Sequence, residues 1–297
     1  MNNNSSLTIE VIGTGTVGGA TGRALVDWGH DVVFKDIDSN VREQLAAEGH
    51  RTAVPEQTID ADLSIVSVPT PYDEETDTMR THIVESAVET LAEQDPSVVV
   101  IRSTVPPTTT QRLAETHEFE HYGMIPEFLF EDSAREDLEE MESLVVGTNS
   151  IKAQETVKRA FSPQVSTFVE VTPTEAEFIK FGSNLFAATK ISFSNEIWRL
   201  ATHTDETSPL ADIDPDDILA GVRQISPWFG ADMGMEGGWP YGGHCLPKDT
   251  RGLRAWAEND RSVSAPQLSG TIAENDLITE RTESTAVETP TPIPSDD

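Results

Sequence analysis

One cysteine, Cys245, occurs among the 297 residues, so no internal disulfide can form, and a reducing, cytoplasmic setting is expected. Basic residues are scarce as well: 20 Lys and Arg face 52 Asp and Glu, a formal charge of −32, and six of the 20 are lysine. So few cations cannot build a phosphate-binding stripe, which excludes a nucleic-acid partner. Self-repulsion on this scale is screened at high ionic strength, and the acidic excess is spread along the chain, as on a haloadapted surface. No apolar run approaches the ~20 residues of a membrane span. The opening Met1-Asn2-Asn3-Asn4-Ser5-Ser6 does not read as a signal peptide. The expectation is a soluble protein, long enough for one large domain or two ordinary ones.

The first informative pattern is a strand, Leu7–Ile12, running into Gly13-Thr14-Gly15-Thr16-Val17-Gly18. Val17 to Trp28 carries a helical pattern, Gly29 ends it, and a second strand, Asp31–Phe34, is closed by Asp36. GxGxxG between strand and helix, with an acid at the end of the next strand, predicts a dinucleotide site. Gly13 makes the tight turn, Gly15 clears room for a pyrophosphate at the helix N-terminus, and Gly18 lets helix and strand pack closely. Asp36 would accept the adenine ribose hydroxyls and repel a 2′-phosphate, favouring NAD over NADP, a preference that Lys35 softens slightly. The alternative is a structural glycine turn in another α/β protein.

Strands follow at Leu63–Val68 and Val98–Arg102, separated by a helical stretch, Thr81–Gln94. This alternation predicts a doubly wound parallel sheet, whose ligands lie beyond the carboxyl ends of the strands. Val68-Pro69-Thr70-Pro71 and Ser103-Thr104-Val105-Pro106-Pro107 fall there, either lining the nicotinamide end or serving only as loop punctuation.

Pro126-Glu127-Phe128-Leu129-Phe130-Glu131 spaces two carboxylates to share a face if helical, and apolar neighbours would raise a carboxylate toward the range of a general base. Solvated surface is the competing reading in so acidic a chain, and Asp132 through Glu142 reads that way. The longest helical pattern runs from Thr174 to about Ala201 and puts Lys180 and Asn184 on one face. A lysine on an apolar helix needs an anionic partner, either a neighbouring acid or a substrate oxygen that becomes negative during reaction. Asp214–Ile225 reads as a shorter helix, with Pro215 at its first position. Cys245 then stands in Tyr241-Gly242-Gly243-His244-Cys245-Leu246-Pro247-Lys248-Asp249, and Asp249 starts a further helix to about Asn259. Glycines before a thiol and a lysine after it suit an attacking thiolate. A buried, inert cysteine is the alternative.

Taken in order over roughly residues 7–280, these segments resemble the UDP-glucose/GDP-mannose dehydrogenase family, NAD-dependent four-electron oxidoreductases that make nucleotide-sugar uronic acids. The motifs that carry the resemblance are the GxGxVG turn, Val68-Pro69-Thr70-Pro71, Ser103-Thr104 with Pro106, Pro126-Glu127-Phe128-Leu129 with Glu131, Glu175 through Asn184 with Asn195-Glu196, and Gly242 through Asp249. It implies an α/β fold: an N-terminal Rossmann domain (residues 1–172), then a mostly helical central and dimerisation domain (173–281) entered by a long linking helix. Residues 282–297 read as a disordered acidic tail.

The resemblance further implies two successive hydride transfers from the sugar C6. Asp249, through a water held by Thr104, and Lys180 would handle proton and oxyanion in the first. Cys245 would then hold the aldehyde as a thiohemiacetal, and Glu127 would be the base that hydrolyses the thioester. Lys180 and Asn184 would stabilise the oxyanions. Gly13, Gly15, Val17, Gly18, Asp36, Thr70, Thr104, Glu131 and Lys248 would line the cofactor, and Glu127, Lys180, Asn184, Tyr241 and Gly242 the sugar nucleotide. UDP-glucose is the default substrate, with GDP-mannose or a UDP-N-acetylhexosamine as alternatives. A homodimer and a role in polysaccharide precursors are implied too, and no metal.

Three features depart from the family pattern. Met235-Glu236-Gly237-Gly238-Trp239-Pro240-Tyr241 replaces the family's proline-glycine approach to the cysteine, and Val41 stands where an arginine is expected, with Arg42 after it. His244 is a mark of relatives acting on N-acetylated amino sugars, whereas Lys248-Asp249 marks those acting on UDP-glucose and GDP-mannose. The sequence also reads as a short form lacking the family's third, UDP-binding domain. A two-electron hydroxyacid dehydrogenase and a non-catalytic NAD or sugar-nucleotide binder are therefore the competing readings.

Overall fold

The computed structural model describes residues 6–73, 75, 78–129, 133–202, 213–225, 240–241, 258 and 262–286. The backbone divides into two compact units, residues 1–184 and 185–297.

In the first unit, eight strands form one sheet: β1 (Thr8–Ile12), β2 (Asp31–Lys35), β3 (Arg51–Ala53), β4 (Leu63–Val66), β7 (Val99–Ile101), β8 (Tyr122–Met124), β9 (Ser143–Gly147) and β10 (Thr167–Val171). Their order is β10-β9-β8-β7-β4-β1-β2-β3, with a separate hairpin of β5 (Tyr72–Asp73) and β6 (Thr78–Met79). Every adjacent pair in the large sheet is parallel except β8 with β9. Connecting them are α1 (Thr16–Asp27), α2 (Ser39–Ala47), α3 (His82–Ala92), α4 (Thr109–Thr116), α5 (Ala134–Glu139) and α6 (Ile151–Phe161).

Buried parallel strands read as unbroken apolar runs because each face meets helices. Val98 and Val100 join Ile9, Val11, Leu25 and Val157 in one core cluster, while Val99 and Ile101 join Val84, Val88 and Leu113 in another. Period-two alternation thus sends successive residues of one strand to opposite helical layers. From β1 the chain winds outward through β2 and β3, then returns to β4 and winds the other way. That reversal opens a crevice at the carboxyl ends of β1 and β4.

Helix α7 (Pro173–Thr202) begins in the first unit and ends in the second, where α8 (Pro215–Ile225) and α9 (Pro266–Ala286) follow. Leu200, Val263 and Ala265 form a small core there with Leu268. Among the described residues, no helix is long and apolar enough to cross a membrane.

Four expectations change. Glu127 stands in irregular chain after β8 rather than on a helix, and its Oε2 accepts from the Leu129 N–H two residues on. Residues 134–139 form α5 rather than plain surface, burying Ala134 and Leu138. Helix α9 continues to Ala286, so the tail begins helical; Thr282 to Ala286 contain no breaker, and residues 287–297 lie outside the described ones. Lys35 points inward: its Nζ meets Glu10 Oε2 at 2.6 Å and donates to Gln94 Oε1 at 2.8 Å, fully buried. It therefore offers no cation to a bound ribose.

Candidate active site

The crevice beyond β1 and β4 is a cavity of about 810 Å³, lined by Gly13, Gly15, Val17, Asp36, Thr70, Thr104 and Glu127 among others. Gly13, Gly15 and Val17 follow β1, Asp36 follows β2, Thr70 follows β4, Thr104 follows β7 and Glu127 follows β8, so the carboxyl ends of five strands supply them. Gly13 has φ +83°, a conformation that glycine alone adopts freely, and a Cβ there would meet the Ser67 carbonyl oxygen at 2.5 Å. A Cβ at Gly18 would lie 2.0 Å from the Gly13 carbonyl oxygen, so helix and turn touch backbone to backbone. At Gly15, by contrast, a Cβ would meet no protein atom within 4 Å. That residue faces open space.

Two observations test whether these residues suit a dinucleotide. Helix α1 starts at Gly15 with no side-chain cap and no acid in its first turn, in a chain with 52 acids. Helices α2 and α6 have side-chain caps from Asp38 and Ser150, and α3, α5, α7 and α8 carry acids in their first turns. The N–H groups opening α1 are left for an outside anion, as a pyrophosphate requires. Second, Asp36 turns its carboxylate to the turn itself. Its Oδ2 accepts from Thr14 N and Thr14 Oγ1, both at 2.8 Å, and its Oδ1 accepts from Asp38 N at 3.0 Å. Burial pushes the Asp36 pKa up, but hydrogen bonds from Asp38, Thr14 and Ile37 outweigh it and hold it below the usual aspartate value. An ionised carboxylate fixed at the end of β2 suits ribose hydroxyls and opposes a 2′-phosphate. Arg42 does not line this crevice but donates from Nη1 to the Asp36 carbonyl oxygen at 2.6 Å. The residues fit the group.

At the far end of the crevice, two predicted groups meet. Glu127 Oε1 lies 3.0 Å from Lys180 Nζ, and Glu127 Oε2 accepts from Leu129 N at 2.7 Å. Lys180, on the first turns of α7, also donates to Asn184 Oδ1 at 3.3 Å, one turn on. Its ammonium lies 5.4 Å from the centre of the Phe128 ring. The acid that the buried lysine needed is therefore Glu127.

Two residues that the sequence reasoning passed over complete the cluster. Glu177, fully buried on α7, accepts from Thr108 N at 2.5 Å and Thr110 N at 2.7 Å, closing the N-terminus of α4. Thr108 has φ +77°, costly for a non-glycine residue, and the carboxylate holds it there. The loop containing Thr104 is thus tied to the helix containing Lys180. The available signal was an acid on the apolar side of α7, three residues before Lys180. Arg102, directly after β7, is 1% exposed. Burial lowers its pKa to about 10, and the charge of Glu127 works against that loss. Its signal was an arginine ending an apolar run in a base-poor chain.

Glu131, Gly242, Cys245, Lys248 and Asp249 lie outside the described residues, as does the helix expected from Asp249 to Asn259 apart from Glu258. Tyr241 is described within the second unit, where its N–H donates to Asn275 Oδ1 at 2.7 Å.

The model for the UDP-glucose/GDP-mannose dehydrogenase family, NAD binding domain, matches residues 41–165. That for the family's central domain matches residues 174–276. The UDP-glucose 6-dehydrogenase AglM of Haloferax volcanii is 30% identical over 291 residues, covering 84% of this chain and 65% of that protein. The UDP-glucose 6-dehydrogenase YwqF of Bacillus subtilis is 31% identical over 285 residues, covering 85% and 62%. The chain therefore spans slightly under two thirds of the length of these relatives. A ternary complex of GDP-mannose dehydrogenase from Pseudomonas aeruginosa shares the fold, with a TM-score of 0.84 at 22% identity over 95% of this chain and 71% of that one. A UDP-glucose dehydrogenase from Pyrobaculum islandicum gives 0.65 at 25% identity, over 95% and 73%. With both of its domain models matched in order along the chain and a crevice that suits a dinucleotide, the chain belongs to the UDP-glucose/GDP-mannose dehydrogenase family, and its cofactor is NAD.

Proposed function

We propose that this chain carries the NAD-binding and central parts of a nucleotide-sugar 6-dehydrogenase, oxidising a hexose C6 alcohol to the carboxylic acid, with UDP-glucose as the default substrate. The observation that carries this reading is the Glu127–Lys180–Asn184 cluster, whose acid shares the crevice with Thr104 and the glycine turn. A dinucleotide binder alone has no use for a buried lysine there.

In this reading the N-terminus of α1 at Gly15 and Val17 holds the pyrophosphate, Asp36 the adenine ribose, and Thr70 and Thr104 the nicotinamide end. Glu131 and Lys248 join them by family likeness. When bound, NAD supplies the hydride acceptor, once for each of the two oxidations. Asp249 takes the alcohol proton through a water held by Thr104. Lys180 has three N–H donors; Glu127 and Asn184 occupy two, leaving one for the oxygen that gains charge at C6. The sulfur of Cys245 adds to the aldehyde carbon and holds it as thiohemiacetal, then as thioester. Glu127 takes a proton from the water that attacks the thioester, and the thiolate leaves. An alcohol cannot reach an acid by a single hydride transfer, which is why a covalent hold is needed between the two. Tyr241 and Gly242 belong to the sugar-nucleotide side by family likeness.

A homodimer belongs to the same proposal by family likeness, and Phe178 on α7 is 60% exposed. The deciding experiment measures NADH formed per sugar consumed, in high salt, across UDP- and GDP-sugars. Two NADH per sugar supports the proposal. One points to a two-electron dehydrogenase, and none to an NAD-binding protein without turnover.

A further inference from the structure

Arg102 presents a physical problem. Its Nη1 donates to the Ile125 carbonyl oxygen at 3.3 Å, a long bond, while its Nε and Nη2 are buried with no hydrogen-bond partner. A face of the Phe161 ring, 6.0 Å from the guanidinium carbon, gives only weak compensation. Buried polar groups are almost always paired, and a buried charge left partly unpaired is among the more destabilising features a fold can hold. Such an exception calls for a reason.

The surroundings supply one. Arg102 and Glu127 together line the cofactor crevice and also a second cavity of about 360 Å³, formed with Phe128, Leu129, Asp137 and Leu144. Glu127 therefore shares two cavities with one cation, Arg102, whose charge it favours, and forms an ion pair with another, Lys180. Arg102 meanwhile keeps two nitrogens, Nε and Nη2, without a partner.

We propose that Arg102 is a positioning residue whose unpartnered N–H groups take the Glu127 carboxylate when Lys180 turns its ammonium to the substrate oxygen. The catalytic meaning rests on the reading of Lys180 given above. If Lys180 left Glu127 with nothing in its place, a largely buried carboxylate would lose its cation, and that loss would subtract from whatever Lys180 gains at the oxyanion. A guanidinium already desolvated, lining the same cavities, would offset part of that loss. Its planar fork suits a carboxylate in two-point contact, which a second lysine could not offer. A simple core strut, by contrast, would be built with its donors satisfied.

The first test needs no turnover. In a crystal structure of Lys180→Met, the Glu127 carboxylate is expected within hydrogen-bond distance of Arg102 Nε or Nη2. Arg102 nitrogens still without a partner, with Glu127 turned elsewhere, would overturn the proposal. The second test is kinetic. Arg102→Met should lower kcat about 10²-fold, and Arg102→Lys should recover part of the loss. Equal losses in the two variants, or no loss in either, count against it. Should Arg102→Met not fold, or the parent protein not turn over, the Lys180→Met structure decides alone, so failure of the dehydrogenase reading stays distinguishable.

Discussion

Lys180 Nζ and Glu127 Oε1 meet at 3.0 Å, a cation from the start of α7 against a carboxylate just beyond β8. Both are largely buried, at 6% and 14% side-chain exposure, so the pair is shielded from the salt that weakens surface ion pairs. If Lys180 steadies an oxyanion, Lys180→Ala should lower kcat about 10²–10³-fold. NAD affinity should stay near the parent value, because Lys180 does not line the cofactor crevice. Stopped-flow NADH formation together with cofactor titration checks both halves, and an unchanged kcat would sink the role.

The glycine turn separates ligand binding from folding. Gly15→Val should abolish NAD binding while leaving the melting temperature nearly unchanged, since its side chain would enter space that no protein atom fills. Gly18→Val should instead destabilise the fold, by at least ~1–3 kcal/mol, because its Cβ would strike the Gly13 carbonyl. Calorimetric NAD titration and thermal melts on both variants read the contrast. Parent-like NAD affinity in Gly15→Val would remove the turn from the cofactor site.

His30 links stability to pH. Its Nδ1 accepts from Leu7 N at 3.2 Å, so Nε2 carries the proton and donates to the Ala160 carbonyl oxygen at 2.9 Å. Burial lowers its pKa below the ordinary 6.5; the Ala160 bond opposes that shift and the Arg159 charge adds to it. The unfolded chain therefore binds the proton first on acidification. The stability His30 contributes is fully present above pH 6.5 and is lost as pH falls through the folded value. Urea unfolding from pH 8 to 5 should show the gap between parent and His30→Gln constant at first, then narrowing. A gap that stays constant throughout would refute the assignment.

The ion pair of Glu10 and Lys35 is sealed between β1 and β2, with Ser64 Oγ donating to Glu10 Oε1 at 2.6 Å. Lys35→Met alone leaves a buried carboxylate without its cation and should destabilise by about 3–5 kcal/mol. Adding Glu10→Leu should recover much of that loss. Chemical denaturation of the two variants tests this, and equal stabilities would argue that Glu10 is not held as an ion.

Much of the fold could be read from local pattern. The strand–turn–helix around Gly13 and the long helix at Pro173–Thr202 are written in runs long enough to show their period. Strands β3 and β8, three residues each, and the five-residue β9 and β10 were passed over, since so short a run shows little period; β7 was legible through its unbroken valines. The pairing of Lys180 with an acid was legible in outline, as one of two alternatives. Glu177 and Arg102 were not, because each acts on backbone or side chains from a distant stretch of chain.

By itself, then, the order of residues determined the dinucleotide turn, since the need for positive φ at Gly13 and for bare backbone at Gly18 is set within a few residues. Folding alone decided that Lys35 pairs inward with Glu10, that Glu177 closes α4, and that Arg102 lies beside Glu127. The reason is electrostatic: a charge withdrawn from water is governed by whatever the neighbouring strands and helices bring to it, and those neighbours are remote in sequence.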